Sequence, residues 1–314
     1  MAPPYQAVLL IAFGGPTAPE EIRPFLSRVT HGIPIPPERL EEVVHHYEAV
    51  GGKSPLNEIT FRQAAALGES LAAANRPVPV YVGLRNSKPF FRETLEQMAR
   101  DGIRKALGFI LSSHGTEASW ERYQKNVADA CAELGGKAPE IDYTEGWHDH
   151  PLFIRTWTEL IGTACGKMPA ERRSATPLIF TAHSLPVAMA ARSPYVQQLE
   201  QSADLIARQL GHSLWSLAYQ SRSGKPGDPW LEPDINIAIR KLASDGHTDV
   251  VVAPIGFVSD HVEVLYDLDI EAKRTAADLG VNLIRVSCPN DHPLFVQMMV
   301  DVIKPRISPV EDRG

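Results

Sequence analysis

Two rhythms of apolar and polar positions alternate along the chain. Short runs rich in Val, Ile, Leu, Ala and Phe occupy 7–13, 77–84, 106–112, 141–144, 176–182, 214–220, 249–253 and 282–286, and predict strands buried on both faces. Between them lie longer segments with apolar residues three and four apart, among them 59–74, 88–101, 120–133, 151–164, 196–210 and 233–244. That spacing predicts helices with one buried stripe. A strand followed by a helix, repeated, predicts parallel sheets covered on both sides, because each parallel strand needs a crossover connection. The fold class is therefore α/β, with two doubly wound halves of four parallel strands each. Four predicted strands fall on either side of Gly146-Trp147-His148-Asp149-His150-Pro151, which sets the expected domains at 1–146 and 147–314. The halves repeat in pattern, with no sequence identity evident between them. The turn-rich stretch from Ser221 to Trp230 predicts an ordered loop.

Composition narrows the possible functions. The 314 residues are 44% hydrophobic, enough to bury a large core and to fill two domains. A formal net charge of -7 lacks the basic footprint that nucleic acid requires, so no nucleic-acid partner is expected. Cys131, Cys165 and Cys288 stand far apart, so neither a disulfide framework nor a metal-binding cysteine set is indicated. No basic leader precedes an apolar stretch and no apolar run approaches membrane-spanning length. A cytoplasmic protein without a membrane span is the expectation. No heptad seam or exposed apolar helix demands a partner, so a monomer is expected.

Candidate chemistry concentrates in two places. His183 follows the apolar run 178–182 and Pro186 closes the segment, so its imidazole falls at the carboxyl end of a strand, where ligands bind in open α/β sheets. A core histidine satisfied by backbone is the plain alternative. His114 stands after 109–113, in what reads as the equivalent place of the first half, and is expected to be structural. Further along, Glu263, Asp267 and Glu271 advance by four, so on an α-helix they would form one acidic stripe, with Asp269 pointing elsewhere. Like charges along a stripe repel, and a cation would offset that repulsion. Simpler readings exist here too. Asp260 as N-cap with Glu263 three residues on would make a capping box, and Asp267 with Glu271 would make an ordinary solvated face. The apolar run 251–258 delivers this segment to the same sheet edge as His183.

These segments resemble the ferrochelatases. The resemblance runs through Leu9-Leu10-Ile11-Ala12-Phe13-Gly14-Gly15-Pro16, Tyr47-Glu48-Ala49-Val50-Gly51-Gly52-Lys53-Ser54-Pro55-Leu56, Tyr81-Val82-Gly83-Leu84-Arg85, Ala182-His183-Ser184-Leu185-Pro186, Tyr219-Gln220-Ser221 with Gly227-Asp228-Pro229-Trp230-Leu231, and Gly256-Phe257-Val258-Ser259-Asp260-His261. It implies two Rossmann-like halves enclosing a porphyrin cleft, the class II chelatase fold. The implied activity is ATP-independent insertion of Fe²⁺ into a porphyrin in haem biosynthesis, by a lyase with iron as substrate and no permanent cofactor. By this resemblance His183 and Glu263 are the catalytic, metal-facing pair, and Asp267 and Glu271 are peripheral metal residues. Metallation removes two pyrrole protons and delivers a divalent cation, which suits an imidazole as base or ligand and carboxylates as hard oxygen donors. Gly83-Leu84-Arg85 and Lys88-Pro89-Phe90 look most like the bacterial coproporphyrin III branch. The porphyrin contacts it implies are Phe13, Thr30, His46, Tyr47, Ser54 and Tyr123. Phe13 stands where the family commonly has a tyrosine, Thr30 where an arginine is expected, and Asn86 where histidine is frequent. Plain packing of Phe13 on the ring, a core role for Tyr123 and a turn start at Ser54 remain open.

Some ferrochelatases hold a [2Fe–2S] cluster on one internal cysteine and a C-terminal trio. Cys165 alone sits near the internal position and the chain ends at Arg313-Gly314 without the trio, so no cluster is expected. The alternatives are a protoporphyrin IX ferrochelatase, a sirohydrochlorin-type chelatase, and a non-catalytic haem or metal-binding protein. A zinc hydrolase using His183, His114 and Glu263 lacks any compact ligand spacing.

Overall fold

A computed structural model describes residues 5–31, 36–166, 168–223 and 227–307. Eight strands form two sheets. β1 (Ala7–Ala12), β2 (Val80–Leu84), β3 (Lys105–Ile110) and β4 (Glu140–Tyr143) pair in the order β2-β1-β3-β4. β5 (Leu178–His183), β6 (Trp215–Gln220), β7 (Asp249–Ala253) and β8 (Asn282–Arg285) pair in the order β6-β5-β7-β8. Every pairing is parallel. The α/β reading with four strands on each side is thus realised, with the same strand order twice. Inner strands β1, β3 and β7 are buried at every position, whereas edge strands β4 and β8 are partly exposed. Continuous apolar runs therefore mark the strands covered on both faces.

Helices cover the sheets through their apolar stripes. In Phe91–Arg100 the buried residues are Phe91, Thr94, Leu95 and Met98, the spacing of one helical face. It packs on a core of Leu9, Ile11, Ile110 and Val127. In the second sheet Ile235, Ile239, Val264, Leu268 and Ala272 pack with Ile179, Val250 and Val252. Helices Ile22–Val29, Pro37–Ala49 and Pro293–Ile303 lie outside the segments singled out by periodicity. The last buries Phe295, Val296, Met298, Met299, Val300 and Ile303, so it is apolar around most of its surface and has no stripe to read.

The chain forms two compact units. The first comprises the described residues up to 112, 117–147 and those from 290 on; the second comprises 113–116 and 148–289. These are not the plain halves 1–146 and 147–314. Helix Pro293–Ile303 follows β8 yet packs against helix Leu56–Ala73 of the first unit, while helix Pro151–Cys165 follows β4 and packs against helix Tyr195–Leu210 of the second. Both exchanged helices open with the same pentapeptide, Asp149-His150-Pro151-Leu152-Phe153 and Asp291-His292-Pro293-Leu294-Phe295. In each the histidine caps the helix, its Nδ1 accepting the amide two residues on, at 3.2 Å from Leu152 N and 3.3 Å from Leu294 N. The proline contributes a pre-set φ in the first turn, where its missing N–H is no loss. The halves therefore do share a stretch of identical sequence, and it lies at two of the points where the chain changes unit, near 147 and near 290.

Residues 224–226 of the predicted loop, and Arg313-Gly314, lie outside the described residues. The described remainder of that loop is tied to the His183 segment. Leu231 N donates to Leu185 O at 2.9 Å, Ser184 Oγ to Leu231 O at 2.9 Å, and Val187 N to Pro229 O at 3.0 Å.

Candidate active site

His183 is the last residue of β5. Its Nδ1 lies 2.5 Å from Ser184 O. A carbonyl oxygen only accepts, so Nδ1 carries the proton and the neutral ring keeps its lone pair on Nε2. The backbone oxygen of His183 accepts the hydroxyl of Tyr195 at 3.0 Å. The side chain is 30% exposed, and Nε2 stands 3.7 Å from Glu263 Oε2.

The backbone after β7 brings Glu263 there. Gly256 N donates to Thr181 O at 3.0 Å, and a Cβ at Gly256 would fall 2.5 Å from Ala182 Cβ. Only glycine permits that approach. Glu263 then lies in the first turn of helix Val262–Tyr266, whose N-cap is His261 in extended conformation, without a side-chain cap. The N-cap is thus His261 rather than Asp260, the residue that the alternative capping-box reading used; Asp260 pairs with Arg285. His261, which the residue pattern did not mark, places Nε2 3.5 Å from the same Glu263 Oε2. Two imidazoles thus bracket one carboxylate. Burial works against a charge on His261, but Glu263, the Ser259 carbonyl and Asp260 outweigh it and raise its pKa.

The acidic segment is not one regular α-helix. A π-helical turn, Asp267–Ala272, interrupts it between Val262–Tyr266 and Lys273–Asp278. Its wider turn changes the alignment that a repeat of four has on an α-helix, and such turns recur at functional sites. Asp267 is only 8% exposed and accepts from Gln220 Nε2 at 3.2 Å and from Ser221 Oγ. Burial drives its carboxyl up to about 7; Ser221 and Gln220 oppose the rise, and the charges of Glu263 and Glu271 add to it. Glu271 is exposed. The three carboxyls therefore differ in setting, with Glu263 half-exposed, Asp267 buried and Glu271 solvated.

His114 is not the counterpart of His183. The strand orders equate β5 with β1, so Ala182-His183-Ser184-Leu185-Pro186 corresponds to Ala12-Phe13-Gly14-Gly15-Pro16, and Phe13 occupies the histidine's place. His114 belongs to the second unit, 1% exposed, between Ser113 Oγ at 2.8 Å and Ser202 Oγ at 3.0 Å. Burial pushes its pKa down to about 3. Its structural role stands. Among the described residues no group of three or more His, Cys, Asp or Glu side chains is arranged to hold a metal ion.

In the first unit several predicted contacts gather at the carboxyl end of β1. The Phe13 ring meets Phe25 edge-on at 6.1 Å, and Phe25 meets Tyr47 at 6.0 Å. Ser54 is buried behind Gly15, its N donating to Pro16 O at 2.8 Å and its Oγ accepting from Leu56 N at 3.3 Å. Asn86 donates to Phe13 O at 3.2 Å. Thr30 ends helix Ile22–Val29 with Oγ1 donating to Leu26 O at 2.8 Å. His46 lies half-buried on helix Pro37–Ala49, and Tyr123 is in the core. Arg85, beyond the end of β2, carries its guanidinium over the Phe13 ring at 5.9 Å. Burial lowers its pKa, and no carboxylate pairs with it among the described residues.

Two parallel α/β units, one presenting a histidine and carboxylate at its strand ends, define a chelatase-type protein. The fold matches a solved structure of SirB from Bacillus subtilis with Fe³⁺ at a TM-score of 0.61, covering 97% of this chain and 96% of that one at 11% identity. A family model described as Ferrochelatase matches residues 5–307. The chain belongs to the ferrochelatase family, and is a porphyrin metal chelatase of the lyase class that takes porphyrin and Fe²⁺ as substrates. It is 41% identical over 302 residues to a coproporphyrin III ferrochelatase of Mycolicibacterium smegmatis, covering 95% of this chain and 89% of that protein. It is 41% identical over 316 residues to one of Nocardia farcinica, covering 98% and 90%. No helix among the described residues is long and apolar enough to cross a membrane.

Proposed function

We propose that this protein inserts Fe²⁺ into coproporphyrin III, forming coproheme for haem b biosynthesis. The identity of 41% with coproporphyrin III ferrochelatases, spanning 95% of the chain, carries the reading. His183 and Glu263 act at the metal. The proton fixed on Nδ1 by Ser184 leaves Nε2 to accept a pyrrole proton or to ligate iron. Glu263 offers a hard oxygen donor within reach of that nitrogen and offsets the incoming charge. Asp267 and Glu271 serve as peripheral metal residues. A buried carboxyl titrating near neutrality, as at Asp267, can hold a proton or release it to accept a cation.

Phe13, Thr30, His46, Tyr47, Ser54 and Tyr123 contribute porphyrin contacts in this reading, with Arg85 as a carboxylate partner. Coproporphyrin carries four propionates, and a desolvated guanidinium without a counter-ion is stabilised by one. Phe13 cannot ligate iron, so its contribution is packing. A [2Fe–2S] cluster has no part in this reading. A monomer acting in the cytoplasm completes the reading. The test is anaerobic turnover of Fe²⁺ with coproporphyrin III and, separately, protoporphyrin IX. A preference of about tenfold or more in kcat/KM for coproporphyrin is expected, the worth of about one charge-assisted hydrogen bond. Equal or better use of protoporphyrin IX would reverse the assignment.

A further inference from the structure

Two acidic residues flank Glu263 without joining its stripe. Asp260 precedes it by three positions and Asp269 follows it by six, inside the π-helical turn. Both turn to one guanidinium. Arg285 Nη1 lies 2.7 Å from Asp260 Oδ1, and Nη2 lies 2.8 Å from Asp269 Oδ2. The three side chains are 15%, 14% and 22% exposed respectively. Lys273 Nζ stands 2.6 Å from Asp269 Oδ1, so the cluster balances two carboxylates with two cations.

The anchor is rigid while the anchored segment needs fixing. Arg285 ends β8, in register with Val252 of β7, and Val286 N donates to Val252 O at 2.9 Å. Helix Val262–Tyr266, by contrast, starts without a side-chain cap, so its first turn lacks the usual local lock. Arg285 grips that segment at both ends, before the first turn and within the π-helical turn. We propose that Arg285 is a positioning residue for the reaction, holding Glu263 at the distance from His183 that iron delivery requires. This rests on the reading of His183 and Glu263 as the metal pair. Lysine would not replace it. A planar fork reaches two separate carboxylates at once, whereas an ammonium on a flexible stem keeps the charge and loses the geometry.

The test uses the full-length enzyme with Arg285→Lys, which retains charge, and Asp269→Asn, which opens one side of the clamp. Four quantities are read: KM for Fe²⁺ at saturating porphyrin, KM for porphyrin, the porphyrin Kd by fluorescence quenching without iron, and the thermal midpoint. Groups that orient metal ligands typically change metal affinity by about 10- to 100-fold. The KM for Fe²⁺ should rise about tenfold in Arg285→Lys and less in Asp269→Asn, with porphyrin KM and Kd within about twofold of the parent. A purely structural role predicts a lower thermal midpoint with an unchanged iron KM, or parallel loss of porphyrin binding, and either result overturns the proposal. If Arg285→Lys does not fold, Asp269→Asn decides on the same readouts. Failure of the underlying reading is separate: it would show as a fully active His183→Ala variant.

Discussion

Replacing Asp267 by asparagine should make the protein less sensitive to alkaline pH. The carboxyl titrates at about 7 in the folded chain against an ordinary 3.8. With the folded value above the unfolded one, the native state binds the extra proton between these limits. The associated stability is complete below pH 3.8, falls as pH rises through that window, and is lost above about pH 7. A span of about three pH units at 1.36 kcal/mol each gives about 4 kcal/mol, of which about 3 kcal/mol falls between pH 5 and pH 9. Asparagine still accepts from Ser221 and Gln220 through Oδ1 and has no charge to bury. Urea unfolding of parent and Asp267→Asn proteins at several pH values from 5 to 9 measures the difference directly. His114 titrates in the opposite sense, since its lowered pKa makes stability fall as pH drops from 6.5 toward about 3, but it is common to both proteins and cancels. The variant's relative stability should climb steadily to pH 8 and then level. A difference that stays flat with pH would refute the burial argument.

Other substitutions separate the roles assigned above. Arg85→Gln should lower kcat/KM for coproporphyrin about 10- to 100-fold with little change in the KM for iron, matching loss of a charged hydrogen bond of about 1.5–3 kcal/mol; its thermal midpoint should hold or rise, because a desolvated cation has been removed. His114→Ala leaves Ser113 and Ser202 without their ring partner and opens a hole, so unfolding should shift by about 2–4 kcal/mol while the folded fraction keeps near-parental kcat. Glu263→Gln should cut turnover by about 10²-fold without weakening porphyrin binding measured by fluorescence.

Sequence carried the fold well where burial is two-sided. The runs around 7–13, 178–182 and 249–253 are apolar apart from Thr181 and Asp249 because helices cover both faces, and the observed strands lie within a few residues of them. It carried the exchanged helices poorly. The strand tally cut the chain once, whereas the repeated Asp-His-Pro-Leu-Phe segment marks two crossings, and the second helix has no polar face to give a period. His183 was legible because strand-end position follows from the run before it. Its bracket was not. His261 and Glu263 meet through an extended N-cap, and Asp260 prefers the long-range pair with Arg285 to the local cap that its spacing suggests. Nor does a repeat of four at Glu263, Asp267 and Glu271 disclose a π-helical turn, within which Asp267 meets Gln220 and Ser221 and Asp269 meets Arg285 across long sequence separations. Equating His114 with His183 compared strand ends by their place along the chain, where the sheet order equates β5 with β1 and gives Phe13 the topologically equivalent position.

The central claim is that His183 and Glu263 metallate coproporphyrin III, and one comparison tests it most directly. Purified protein, Fe²⁺ and coproporphyrin III are mixed anaerobically, and the Soret band is followed for the parent and for His183→Ala. Conversion to the iron porphyrin by the parent, with at least about a 10²-fold loss in the folded variant, is the predicted result. Equal rates of conversion in the two proteins, or none in the parent, would contradict it.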